Sequence, residues 1–333
     1  MLFAQLMAPY LERGHFSAKI FGILSRFLIS YEQVLVKKGL NPHDFKPMIN
    51  DLIEKIEDQV RSPYLFPHFH TRLKKPFDFQ TLGLDFIRPL IDFDHSTVTG
   101  LKALSAIRQQ INLKHNVILL ANHQIEADPQ VINLLLEPID PALGDQMIFV
   151  AGERVVVDPC AVPFSLGCNL LCIYSKKYID HPSDQRLRKQ MHNKKTMETM
   201  SQLLAEGGAC IYVALSGGRD RRGPGRHVEV APFDPNNLEM FQLMAKKGKT
   251  PTHFYPLSLA TYMILPPPES VQIELGEERI AQSGACHLHF GDEIHFDQLF
   301  IPEGLDKLKS RQWKSDYVYN IVKHNYLRFN VDY

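Results

Sequence analysis

The stretch Val117-Ile118-Leu119-Leu120-Ala121-Asn122-His123-Gln124-Ile125-Glu126-Ala127-Asp128-Pro129 decides how this chain is read. Its apolar first half reads as a buried strand. Asp128-Pro129 reads as a helix start, because proline suits the first helical position and biases the residue before it away from helical backbone. The segment is therefore strand, turn, helix. His123 falls just past the strand end, where ligands bind in open α/β sheets. Asp128 follows five residues later. A compact turn lets its carboxylate meet the imidazole, fix the tautomer and leave the other ring nitrogen as a base. A plainer reading stands beside this one: Asp128 as an N-cap accepting first-turn N–H groups, and His123 as a structural histidine.

Working outward, strand patterns fall at Asn116–Leu120, Met147–Ala151, Leu170–Ser175, Ala209–Leu215, Thr252–Ala260, Val271–Leu275 and Cys286–Phe290. Helical patterns at Pro129–Leu136, Ser183–Glu206, Asn236–Lys247 and Leu305–Phe329 separate several of them. Such alternation predicts an α/β domain with a mostly parallel, mixed central sheet flanked by helices, the late strands pairing antiparallel. The first sixty residues instead carry three apolar stripes of helical spacing and predict a small bundle. Pro63, Pro67 and Pro76 mark a link. The expected division is a helical bundle over 1–75 and an α/β catalytic domain over 76–333.

Composition narrows the classes. The chain has 333 residues, 44% hydrophobic and 22% charged, ample for a large core. Its formal net charge is zero, so no whole-molecule field selects nucleic acid. The five cysteines, odd in number and lying partly in apolar runs, read as reduced core residues. No apolar run is long enough to span a bilayer, and the first residues do not resemble a secretory signal. His68-x-His70 and His287-x-His289 each lack a third ligand, so no metal and no cofactor is expected. P-loop, nucleophile-elbow and dinucleotide glycine patterns are absent.

Two further stretches follow strands. Ser216-Gly217-Gly218-Arg219-Asp220-Arg221-Arg222 follows Ile211–Ala214. Glycines there permit close backbone approach, and exposed amides can face an anion. Arg219 and Arg221 add permanent charge and forked donors suited to phosphate. A solvated basic loop is the alternative. Lys176-Lys177 follows the strand ending at Ser175. Together the three strand ends suggest a base beside a phosphate pocket.

These residues carry a resemblance. Asn122-His123-Gln124 with Glu126-Ala127-Asp128-Pro129, then Tyr174-Ser175-Lys176-Lys177, then Ser216–Arg221 with Ala231-Pro232-Phe233-Asp234, and Phe254–Ser258 resemble the ordered blocks of the soluble, plastid- and chlamydial-type glycerol-3-phosphate 1-O-acyltransferases. These belong to the H-x4-D glycerolipid acyltransferases. The resemblance covers about 116–260 and implies a helical bundle plus an α/β domain. It implies glycerol 3-phosphate as acceptor and a fatty acyl thioester, on acyl carrier protein or coenzyme A, as donor. His123 would be the general base, oriented by Asp128. Lys177, Arg219 and Arg221 would hold the phosphate, supported by Lys176, Ser216, Gly217 and Gly218. The plant pattern has histidine where this chain has Tyr178, which brings no charge.

An acidic carrier protein needs a basic surface. The helix 183–206 offers Arg186, Arg188, Lys189, Lys194 and Lys195, and the last helix offers Lys307, Lys309, Arg311, Lys314, Lys323 and Arg328. The plainer and preferred reading of either face is a solvated helix surface. The apolar runs Val155–Val157 and Val162–Leu171 are a candidate wall for the acyl chain, or plain core. The expected setting is cytoplasmic, or plastid stroma in a plant, with peripheral membrane contact and no transmembrane segment. Two rival functions remain: acylation of 1-acylglycerol 3-phosphate, and noncatalytic binding of phosphoanions or lipid surfaces.

Overall fold

In the computed structural model, which describes residues 1–174, 179–180, 183–223, 225, 227–268 and 276–331, ten strands are present among those residues. They are β1 (Phe69–His70), β2 (Thr97–Thr99), β3 (Asn116–Ala121), β4 (Ile148–Gly152), β5 (Asn169–Ile173), β6 (Cys210–Ala214), β7 (Arg221–Arg222), β8 (Val228–Glu229), β9 (Thr252–Ala260) and β10 (His287–Phe290). Eight of them form one sheet in the order β1-β5-β4-β6-β3-β9-β10-β2. The inner run β5, β4, β6, β3, β9 is parallel throughout. β9 and β10 pair antiparallel, as do β1 and β5, so the sheet is mixed at its margins. This is the α/β architecture the periodicity predicts. The carboxyl ends of β3, β4, β5, β6 and β9 therefore share one edge.

β3 sits at the centre, and all six of its residues are buried. That explains its unbroken apolar run: helices cover both faces of a parallel sheet, so both sides of the strand must be apolar. Two hydrophobic clusters lie on opposite faces. Val117, Leu119 and Ala121 point into one; Ile118 and Leu120 point into the other.

The N-terminal helices Leu2–Leu6, Ala8–Arg13, Ala18–Lys37 and Pro42–Arg61 follow the three stripes. Ser17 and Asn41 cap the two long ones by accepting from Ile20 N and His43 N. The buried carboxylate of Glu32 accepts the N–H groups of Leu2 and Phe3 at 2.8 and 2.9 Å, satisfying donors that the first helix leaves open. Tyr31 stacks on Phe86 and donates to Phe86 O at 2.9 Å, so the bundle's core continues into the helices beside the sheet. The proline-marked link also supplies β1, an edge strand, which its composition does not signal.

Other boundaries shift by up to three residues, the most at Ser183, where a 3-10 turn over Ser183–Gln185 precedes the helix Arg186–Glu206. The expected strand Val271–Leu275 lies outside the described residues. All five cysteines are buried and unpaired. Burial pushes the thiols of Cys160, Cys168, Cys172 and Cys210 up to about 12, which suits core residues rather than nucleophiles. No helix of the described residues is long and apolar enough to cross a membrane.

Candidate functional site

The turn after β3 is built around one carboxylate. Asp128 is 1% exposed, and its Oδ2 lies 2.7 Å from His123 Nδ1. The same oxygen accepts from Gln124 N at 2.9 Å. Oδ1 accepts from Thr261 Oγ1 at 2.6 Å and from Ile125 N at 3.4 Å. The helix Asp128–Leu136 gains no side-chain cap, so the carboxylate faces back into the turn rather than forward into the helix. That removes the capping role. An ionised carboxylate only accepts, so Nδ1 carries the ring proton and Nε2 is left as the acceptor. His123 remains 27% exposed at its side chain. Gln124 N and Ile125 N, two of the backbone donors near the turn, are committed to Asp128.

Asn122 and Gln124 flank the histidine and point inward. Asn122 Oδ1 accepts from Leu259 N at 2.8 Å, and its Nδ2 donates to Leu259 O at 3.0 Å. Gln124 Oε1 accepts from Thr261 N and Tyr262 N at 2.7 and 3.0 Å. Both side chains fasten the turn to the end of β9. They also reach the arginine loop: Asn122 Nδ2 and Gln124 Nε2 donate to Asp220 Oδ2 at 2.7 and 3.2 Å. Asp220 N donates to His123 O at 2.6 Å, and Asp220 Oδ1 accepts from Ala231 N at 2.9 Å. The imidazole turn and the loop carrying Arg219 and Arg221 are thus bonded directly to each other.

Burial pushes the Asp220 carboxyl up to about 6, against the pull of Ala231 N–H and the Asn122 and Gln124 amides. A carboxyl raised in the folded chain binds its proton more tightly there than when unfolded. Its contribution to stability is full below its ordinary value near 3.8 and is lost as pH rises through about 6. We expect urea unfolding of the wild type and of Asp220→Asn, compared from pH 4 to 7, to show a stability difference that changes by roughly 2 kcal/mol across that window. A flat difference would mean that Asp220 stays ionised throughout.

The cationic side is denser than the sequence suggests. Arg219 Nη2 donates to both oxygens of Glu277, at 2.6 and 2.5 Å, and its Nη1 lies 3.8 Å from Glu126 Oε1. Arg154, two residues past β4, lies 3.7 Å from Glu277. Arg279 is 10% exposed at its side chain and holds both oxygens of Glu126, at 2.8 and 3.2 Å, and Asp158 at 3.0 Å. Burial pushes Glu126 up, but the Arg279 and Arg219 charges outweigh it and hold that carboxyl below its usual range. Arg221 differs from these. Its Nη1 is buried without a hydrogen-bond partner, and burial, followed by the neighbouring Arg219 charge, pulls its pKa down. A desolvated guanidinium with an empty donor beside a second guanidinium calls for an anion.

Ser216, Gly217 and Gly218 form the turn that leads into this loop. Gly217, at φ +65°, donates its N–H to Ala214 O at 3.1 Å, so that amide holds the turn and is not offered to a ligand. Ser216 Oγ donates to Gly218 O at 2.7 Å. Lys176, Lys177 and Tyr178 lie outside the described residues. Among the proposed docking residues, Lys189 is buried with Nζ 2.8 Å from Glu153 Oε1, and Arg311 pairs with Glu239 at 3.2 Å, so neither is a free surface charge. No group of three metal-ligating side chains occurs among the described residues. Arg154 was within reach of sequence reasoning, since it too follows a strand. Glu277 and Arg279 lie in a segment with no motif, and Thr261, just past β9, carries no signal of its own.

A family model described as Acyltransferase matches residues 95–260, a span that includes His123, Asp128, Arg219 and Arg221. Glycerol-3-phosphate acyltransferase ATS11, chloroplastic, from Cucurbita moschata is 35% identical over 292 residues, covering 86% of this chain and 65% of its own. The chloroplastic glycerol-3-phosphate acyltransferase of Arabidopsis thaliana is 35% identical, covering 86% of this chain and 63% of its own. This chain thus spans just under two thirds of either protein. The Pisum sativum protein of the same name is 33% identical over 322 residues, covering 95% of this chain and 69% of its own. Sharing that identity over that length, and carrying the paired histidine and aspartate at the end of its central strand, the chain belongs to the glycerolipid acyltransferase superfamily.

Proposed function

We propose that the chain is a glycerol-3-phosphate 1-O-acyltransferase. The acceptor is sn-glycerol 3-phosphate and the donor a fatty acyl thioester, carried on acyl carrier protein. His123 Nε2 takes the proton of the C1 hydroxyl as its oxygen attacks the thioester carbonyl. The carbon–sulfur bond breaks, the thiol leaves with the proton, and the product is lysophosphatidate. Asp128 keeps the ring in the reactive tautomer and balances the imidazolium. The acceptor itself is the nucleophile, so no acyl-enzyme forms. Arg219 and Arg221, with Lys177, hold the phosphate. This chemistry belongs in an aqueous compartment, the cytoplasm or a plastid stroma, with the lipid product passing to a nearby membrane.

The observation that supports the reading most is the buried, unpartnered Nη1 of Arg221 in a loop whose next residue inward, Asp220, is hydrogen-bonded to His123 O. A base and an anion-seeking cation are thereby coupled through one residue. The test is purified protein with labelled glycerol 3-phosphate and either acyl-carrier-protein or coenzyme A thioester, set against labelled 1-acylglycerol 3-phosphate. Acylation of the second acceptor alone would replace the reading, and binding without turnover would make the scaffold noncatalytic. We expect Arg221→Ala to raise the acceptor KM about 10- to 100-fold, the worth of one charge-assisted contact, with the donor KM unchanged. If only the donor KM moved, the arginine would belong to carrier-protein docking.

A further inference from the structure

One carboxylate has no role in that reading. Glu277 is 4% exposed at its side chain, and both its oxygens sit on Arg219 Nη2 at 2.6 and 2.5 Å. It therefore occupies a donor that a phosphate on Arg219 would use. Nη1 of the same guanidinium already faces Glu126. The two carboxylates are anchored differently. Glu126 is gripped through both its oxygens by the buried Arg279. Arg279 holds Glu277 only by its backbone carbonyl, at 3.0 Å. Apart from Arg219, the Glu277 carboxylate has Arg154 within salt-bridge range, at 3.7 Å. Arg154 is 31% exposed at its side chain against 11% for Arg219, so it is the outer of the two guanidiniums beside this carboxylate.

The donors point the same way. Among the described residues Arg154, Arg219 and Arg279 pair with Glu126, Asp158 and Glu277, while Arg221 keeps a buried donor without a partner. With Lys177 of the proposed function the charges would match a dianionic phosphate monoester, which would still lack a forked donor beyond that of Arg221. Releasing Arg219 from Glu277 opens that second fork.

We propose that Glu277 is a resident carboxylate of the anion cradle, displaced from Arg219 towards Arg154 when the acceptor's phosphate binds, and that it thereby sets the affinity for the acceptor and the retention of the product. The inference rests on the acceptor reading above. Because the product keeps the same phosphate, a carboxylate that competes for Arg219 also speeds its departure. A carboxylate that merely braced Arg219 would act in the opposite direction.

The test is Glu277→Gln in the full chain, read by calorimetry with glycerol 3-phosphate and by steady-state kinetics. We expect the acceptor Kd and KM to fall roughly tenfold, the scale of one charged hydrogen bond no longer competed for, and product inhibition by lysophosphatidate to strengthen by the same factor. A higher acceptor KM, or an unchanged Kd, overturns the proposal. Arg154→Gln provides the second arm. It should raise the acceptor Kd in the wild-type background and leave it unchanged beside Glu277→Gln, since the displaced carboxylate then needs no second home. Equal effects in both backgrounds also overturn it. A parallel titration with inorganic phosphate separates the two readings. If the wild type binds phosphate but not glycerol 3-phosphate, the acceptor assignment fails, while Glu277→Gln must still tighten phosphate for this proposal to stand.

Discussion

His123→Ala is expected to lower acyl transfer by about 10²- to 10⁴-fold, the usual worth of a positioned general base, with little change in the folded state. The structure explains why the two effects separate. The imidazole makes one side-chain hydrogen bond, to Asp128, while the main-chain carbonyl that accepts from Asp220 N is untouched by the substitution. Asp128 would keep Gln124 N, Ile125 N and Thr261 Oγ1 as partners, so its buried charge is not stranded. Circular dichroism and a thermal melt establish folding, and single-turnover transfer measures the chemistry. Near-normal turnover in a folded variant would remove the base from the mechanism.

Asp128→Asn is expected to cut kcat by about 10²- to 10⁴-fold with a modest change in acceptor KM. An amide presents one acceptor and one donor, yet every partner of this carboxylate can donate. The Thr261 hydroxyl can turn round and accept, and so can Nδ1 of the other imidazole tautomer, but Gln124 N cannot. The amide oxygen would therefore stay towards His123 and Gln124, with its NH2 towards Thr261. The ring keeps its tautomer but loses the negative charge that balances an imidazolium. Thr261→Val added to Asp128→Asn removes that accommodation, so the double variant should lose stability as well as rate. Lost stability with intact kinetics in the single variant would make Asp128 a structural residue.

The reach of the sequence can be judged at particular residues. The run Val117–Leu120 is apolar on both faces, which only a doubly covered strand requires, and it became the sheet's central strand. The five-residue spacing of His123 and Asp128 is short enough for a single turn to close, so their contact was legible. The direction of the carboxylate was not. A cap and a ring-orienting partner share the same letters before a proline, and the choice was made by Thr261, 133 residues away in sequence. The strand β1, in the proline-rich link, was hidden because two residues carry no periodicity.

The chain's own order of letters thus determined the alternation of strand and helix, the position of His123 at a strand end, and the presence of two guanidiniums on a neighbouring strand end, because each of these is written in local spacing. Tertiary structure alone decided which charges are spent and which are free. Arg219 and Arg221 look alike in sequence, but one is held by Glu277 and the other keeps a buried donor without a partner. Such pairings join residues far apart along the chain, and their strength depends on how deeply water is excluded, a property no local pattern encodes.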